Sequence, residues 1–301
     1  MVDKTVKIIL SVFILSLSCS TQKLSTELTV EKYSIPPGTI KVNDSLFFDK
    51  TEITNFSYLM YVYWTFWVCG EKSEEYSKAL PDTTVWLKLP KKYHIFSEFY
   101  FRHPSYYDYP VVGISKSQAD NYSKWRSDRV MQLILIENKV IKLFNSVNKD
   151  SVFTIEKYFT GKYYNIKPDP RFKYYFKYEV PDTNIYSSML DFKNTEVIKK
   201  PNKSGCTGVF SLNCYENIKF KNDTLPYGPE PLQKAYCSKC DKNVITHLKG
   251  NASELTNISG LVFGGSFKDS CDKVARQRFS IENSTSAHTG FRNVYRLTKW
   301  P

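Results

Sequence analysis

The residue types best suited to chemistry in this chain are its cysteines. Cys237 and Cys240 stand in a C-x-x-C spacing, and Cys206 and Cys214 lie upstream with seven residues between them. Four thiolates could hold structural zinc, but a seven-residue gap is not the usual ligand spacing. A thioredoxin-like role for the C-x-x-C needs a βαβ context, and none is readable around it. Export would favour disulfides. The four cysteines therefore leave disulfides, zinc and free thiols open, in that order. The four histidines, His94, His103, His247 and His288, are scattered, and no Ser-His-Asp arrangement is readable.

A further cysteine, Cys19, closes a different pattern. Lys4 and Lys7 precede an apolar run from Ile8 to Leu17, and Ser16 and Ser18 are the small residues before Cys19. A charged start, a short apolar stretch and small residues at its end make a secretory signal. A run this short is not a spanning helix, which needs about 20 apolar residues. The cysteine after a small residue predicts a lipoprotein-type signal peptide over 1–19, lipidation at Cys19, and a polar Ser/Thr-rich tether over 20–34. The expected location is a bacterial cell envelope, in the outer membrane or periplasm, with the chain held to the membrane through its lipid.

The net charge is +12, with basic clusters at Lys91–Lys92, Lys167–Lys177 and Lys199–Lys203. The run Arg171 to Tyr178 interleaves cations with aromatics, a pattern that suits nucleic acid. An exported protein rarely meets nucleic acid, so none is expected as a partner. Solvated basic surface is the plainer reading, and anionic lipid or polysaccharide the next.

The elements follow from local signals. Leu46 to Phe48 reads as a strand. Thr54 or Asn55 is an N-cap for a helix whose body is the apolar run Phe56 to Val68, which is too short to span a bilayer. Gly70 to Tyr109 reads as loop-rich, and Pro110 to Ile114 as a strand. Ser115 and Gln118 have capping-box spacing for a helix to about Val130, with Ala119, Tyr122 and Trp125 near one face. The stretch 131–249 offers short β-rich pieces, many prolines and no clear order. Order returns at Gly250 to Leu255, Leu261 to Phe267 and Gly290 to Val294. No internal repeat is present.

Four separated pieces carry a resemblance: Phe48 to Asn55 (FDKTEITN); Pro110 to Ser115 (PVVGIS) with Ala119 and Trp125; Gly250 to Leu255 (GNASEL); and Gly264 to Phe267 (GGSF) followed by Gly290-Phe291-Arg292. In this order the chain resembles the formylglycine-generating enzyme family, also called the sulfatase-modifying-factor domain, over residues 35–301, with 131–249 divergent. It is most similar to the gliding-motility-associated lipoproteins that carry this domain, through Tyr63-Trp64 and the Lys124 to Arg129 helix. The resemblance implies an α+β, C-type-lectin-like fold with little regular secondary structure and loop-rich insertions.

Active members of that family hold copper with two cysteines after the Gly-Gly-Ser turn, and two thiolates suit copper(I). Here those positions are Asp269 and Val274, with Cys271 between them. Copper is therefore not expected, and the reading leans away from catalysis. The mid-domain pair of glutamates is also missing at Val180 to Tyr186. The family's calcium loop would map onto the carbonyls of Gly250 and Ala252 and the carboxylate of Glu254, oxygen ligands fit for a hard cation. His247 departs from the asparagine expected there. The motif residues otherwise read as fold-holding groups that satisfy loop backbone.

The resemblance thus implies a non-catalytic envelope lipoprotein, a structural or binding component of gliding motility or secretion machinery with protein partners in the envelope. Two other readings stay open. One is a divergent oxidase or other metal-dependent enzyme; the other is a carbohydrate-binding module, which the lectin-like fold and 22 tyrosines suggest.

Overall fold

The aromatic strand read at Leu46 to Phe48 is β2 (Leu46–Asp49), paired with β1 (Thr39–Lys41). In this computed structural model, residues 38–143, 148–191, 213–214, 231–235 and 244–301 are described. The signal segment with Cys19, the tether and Cys206, Cys237 and Cys240 lie outside them.

The fold is α+β; among the described residues there are two four-stranded sheets, with helices packed against them. The first sheet runs β1-β2-β8-β3 and is antiparallel throughout, with β3 at Tyr174–Glu179 and β8 at Val294–Lys299. Its register sets Phe47 opposite Tyr295, with the rings stacked at 4.5 Å. The second sheet runs β6-β5-β4-β7, built from β4 (Ser253–Leu255), β5 (Leu261–Phe263), β6 (Phe279–Ile281) and β7 (Thr289–Gly290). Its β4–β7 pair is parallel.

Helix α1 spans Asn55–Cys69, capped by Thr54, whose side chain accepts from the Ser57 N–H. Tyr58, Tyr61 and Val62 enter the core with Tyr122, Trp125 and Phe291. The apolar run is not buried all round, for Phe56, Tyr63 and Trp67 are 41%, 47% and 50% exposed. The expected loop from Gly70 onward is broken into short helical pieces, among them α2 (Glu74–Ala79) and α3 (Phe96–Phe99), because Val85, Trp86, Tyr93, Phe96 and Tyr100 need a buried face.

Pro110 to Ile114 is not a strand. Only an isolated bridge joins Thr54 to Pro110, and Gly113 turns the chain at φ +72. A Cβ on Gly113 would lie 2.4 Å from the Asp82 carbonyl oxygen, and Gly113 exchanges bonds with Asp82 and Ser286 instead of a neighbouring strand. Helix α4, Lys116–Glu137, opens with the capping box between Ser115 and Gln118. It runs past Val130 because Met131 and Leu135 continue its buried stripe, packing with Phe153, Tyr158 and Phe172. Within the divergent stretch lie α5 (Ile155–Phe159), β3 and α6 (Thr183–Met189), each with an aromatic anchor in the core: Tyr158, Phe176 and Tyr186. The last helix, α7, spans Cys271–Arg276. No helix among the described residues is long and apolar enough to cross a membrane.

Candidate functional site

Polar residues from three of the four motif pieces meet inside the molecule, where the turn before α1 approaches β4 and the β7–β8 connection. Arg292 is the centre. Its Nε donates to Glu254 at 2.8 and 2.7 Å, and its Nη atoms donate to the carbonyls of Asp49, Lys50, Thr246 and His247. Side-chain exposure is 0% for Arg292 and 1% for Glu254. Burial pushes the Glu254 carboxyl up and the guanidinium pulls it back. An arginine stays charged, so the two form a forked ion pair.

A second buried carboxylate, Glu52, lies beside this pair. It accepts from Asn251 Nδ2 at 3.0 and 3.1 Å and from the Ala252 N–H at 3.3 Å. Burial, then the Glu254 charge, holds Glu52 protonated well above the usual carboxylate range, outweighing Arg292 and the amide donors. Asn251 works on both sides: its Oδ1 accepts from Gln233 N at 2.7 Å and Asn213 Nδ2 at 2.9 Å. It does this from the left-handed region, at φ 58, which asparagine tolerates better than most residues. Gly250, just before it, is at φ +76 with the Asn213 carbonyl 2.7 Å from where a Cβ would stand. Glycine is required by both conformation and space.

His247 is also buried. Its Nε2 is 3.2 Å from the Lys234 carbonyl, and burial followed by the Arg292 charge drops its pKa to about 3. A third acid from the first motif piece, Asp49, holds Arg126 of α4 through bonds of 2.6 and 3.0 Å and also accepts from the Asn293 N–H. The Arg126 guanidinium lies 4.2 Å over the Tyr178 ring. Asn55 donates to the carbonyls of Tyr100 and Tyr106.

Of the proposed calcium ligands, Glu254 gives both carboxylate oxygens to Arg292. A guanidinium at the carboxylate repels a second cation, so this donor set does not suit calcium.

The turn after β5 shows how the expected copper positions are filled. Asp269 accepts from both the N–H and Oγ of Ser266 at 3.0 Å and pairs with Lys273. Burial raises the Asp269 carboxyl, but Lys273 and Ser266 together hold it below its ordinary value. Val274 is 1% exposed, and a Cβ on Gly265 would touch its Cγ2 at 3.0 Å. Cys271 is not alone: it forms a disulfide with Cys214, 57 residues away. Cys214 therefore pairs outside the group of four cysteines in which its spacing had placed it. This donor set does not fit a two-thiolate copper site.

No family model and no curated protein matches the chain. Among solved structures, the crystal structure of CarF is similar at 11% sequence identity, over 92% of this chain and 94% of that one, with a TM-score of 0.39. Neither function nor fold is inferred from a likeness that weak.

Asn251, Glu254 and Arg292 stood in the sequence motifs, as did their partner Glu52, but which of them pair was not readable. Asn213 carried no signal, being a lone polar residue in the divergent stretch. The Asp49–Arg126 pair joins residues 77 apart in sequence.

Proposed function

We propose that this chain is a non-catalytic lipoprotein of the bacterial envelope, a structural or binding component built on a sulfatase-modifying-factor-like domain and serving motility or secretion machinery. One observation carries the non-catalytic part. Where the resembled family places two copper-binding thiols, Asp269 caps the Ser266 turn, Val274 fills the core, and Cys271 is bound to Cys214. A thiol tied in a disulfide is no thiolate ligand. The buried motif acids favour the same reading, since Glu254 and Asp49 are each engaged by an arginine.

The envelope role rests on the signal pattern ending at Cys19 and on the resemblance. The test has two arms. Purified protein is titrated with copper(I) and incubated with a sulfatase-motif cysteine peptide; no stoichiometric copper and no formylglycine are expected. Formylglycine formation sinks the non-catalytic reading. In cells, Cys19→Ala should abolish fatty-acid labelling and membrane association. Unchanged labelling removes lipidation at this residue.

A further inference from the structure

A cleft of about 570 Å³ opens between α4, α5 and β3, beside Trp300. That volume lies within the roughly 300–1,000 Å³ of small-molecule sites. Asp128 lines it while being only 9% exposed. Its Oδ1 accepts from the Ile155 N–H at 2.9 Å, at the start of α5. Its Oδ2 has no hydrogen-bond partner among the described residues, yet it is not one of the sealed, unsatisfied atoms of the interior. The free oxygen therefore meets the cleft. Burial raises the Asp128 carboxyl above its ordinary pKa, a strain that a hydroxyl donor in the cleft would relieve.

The cleft also holds a fixed aromatic surface. Trp300 stacks on Phe159 with centroids 4.9 Å apart and planes 7° apart, and meets Tyr175 edge-on at 6.1 Å. Trp300 and Tyr175 both line the cleft, so its aromatic wall is braced from behind.

The charges decide the ligand class. Asp120 is paired with Lys116, and Glu179 with Lys177 and Arg296. Asp128 and Glu156 also line the cleft, with Lys124 one turn before Asp128 on α4. An anionic ligand would meet Asp128 and Glu156, and a cationic one would meet Lys124. A neutral ligand with hydroxyl groups that both donate and accept satisfies either sign, and apolar C–H faces suit an aromatic wall.

We propose that this cleft binds a neutral saccharide, with a sugar ring against Trp300 and Tyr175 and its hydroxyls donating to Asp128 Oδ2. The proposal rests on the reading of the chain as a binding component and names the ligand class.

The test uses the full chain in detergent, titrated with maltotriose, cellotriose, mannotriose and tri-N-acetylchitotriose and followed by calorimetry and tryptophan fluorescence. At least one should bind saturably at one site. Asp128→Asn keeps an oxygen for the Ile155 N–H but loses the charged acceptor, and should weaken binding by about tenfold or more. Tyr175→Ala should weaken it comparably; it decides the matter alone if Asp128→Asn does not fold. Saturable binding by none of the four sugars overturns the proposal, as does binding that both variants leave unchanged. Preferential binding of tetralysine, lost in Asp128→Asn, overturns it in favour of a cationic ligand. A chain that binds sugar but makes formylglycine keeps the cleft and sinks the non-catalytic reading; one that does neither sinks the cleft alone.

Discussion

Around Arg292 the charged groups are turned on one another; around Asp128 one carboxylate oxygen is left facing open space. Arg292 engages Glu254 and four backbone carbonyls with no exposure to solvent. The Asp128 side chain accepts a single hydrogen bond, from the Ile155 N–H, at the edge of a cleft. The first cluster is built from the motif residues that look most like chemistry, and the second from residues in and beside the divergent stretch. Residue type alone therefore misleads here. A buried acid whose lone pairs are satisfied by its own chain holds the fold, whereas an acid with a free lone pair in a cleft has something left to bind.

The strongest way to break this comparison is to remove one partner at the sealed end. Arg292→Met should destabilise the protein by about 3–5 kcal/mol, because it strands the Glu254 charge in the interior. Glu254→Gln should cost less, since the amide can still accept from the guanidinium, and the loss should be equal with calcium or with chelator. Urea unfolding under both conditions measures this. A melting shift that needs calcium and disappears in Glu254→Gln would turn the loop back into a metal site.

Next in size is the disulfide. Cys271→Ser opens a loop spanning 57 residues and should lower stability by about 2–4 kcal/mol. Reduction should cost the parent protein at least as much, and should cost the variant less than the parent. If reduction costs the parent nothing, Cys214 and Cys271 are not joined in solution.

Buried titrating groups in the sealed cluster bend stability in opposite directions, the raised Glu52 and Glu254 one way and the lowered His247 the other. Glu52 has its pKa raised above 4.5 by burial, so above that pH the folded chain keeps a proton the unfolded chain has released. Stability then falls as pH rises, as far as the raised pKa reaches. His247 is lowered from 6.5 to about 3, so below pH 6.5 the unfolded chain gains a proton the folded chain refuses. Stability falls as pH falls towards 3. Between 4.5 and 6.5 the two slopes oppose each other, each about 1.4 kcal/mol per pH unit for a full proton. Glu52→Gln should make the alkaline limb shallower, leaving the share that Glu254 carries, and spare the acid one, as read from denaturation midpoints across pH. An unchanged alkaline limb would mean that Glu52 ionises normally.

What the sequence made legible was local. Thr54 as an N-cap and the Ser115–Gln118 capping box were readable because a cap and its target lie within three residues. The end of α4 was not, since Met131 and Leu135 continue a stripe that the apolar Leu133, Ile134 and Ile136 beside them obscure. Pro110 to Ile114 has the composition of a strand, but the close approach of the Asp82 carbonyl to Gly113 decides otherwise. The motif residues of the candidate site were visible, while their contacts were not: Glu52 meets Asn251 across 199 positions, and Arg126 meets Asp49 across 77. Such pairings are products of tertiary packing, for which a single sequence carries no spacing rule. The α+β class was readable, whereas the cleft at Asp128 had no signal, since it needs α4, α5 and β3 to be assembled first.

The smallest effect belongs to the rim of that cleft and sharpens the comparison most. Glu179 pairs with Lys177 at 2.9 Å and Arg296 at 3.0 Å, distances close to those between Arg292 and Glu254. The difference is exposure: the side chains of Lys177, Arg296 and Glu179 are 52%, 40% and 30% exposed. Water screens such a pair, and holding long side chains in place costs entropy, so exposed ion pairs contribute about 0–1 kcal/mol. Glu179→Gln should therefore shift the urea midpoint by an amount worth less than about 1 kcal/mol, and by still less in high salt. Arg292→Met should keep most of its effect in the same salt, because no counter-ion reaches the interior. A Glu179→Gln loss as large as that of Arg292→Met would show that the rim is as structural as the sealed cluster, and that openness does not separate the two regions.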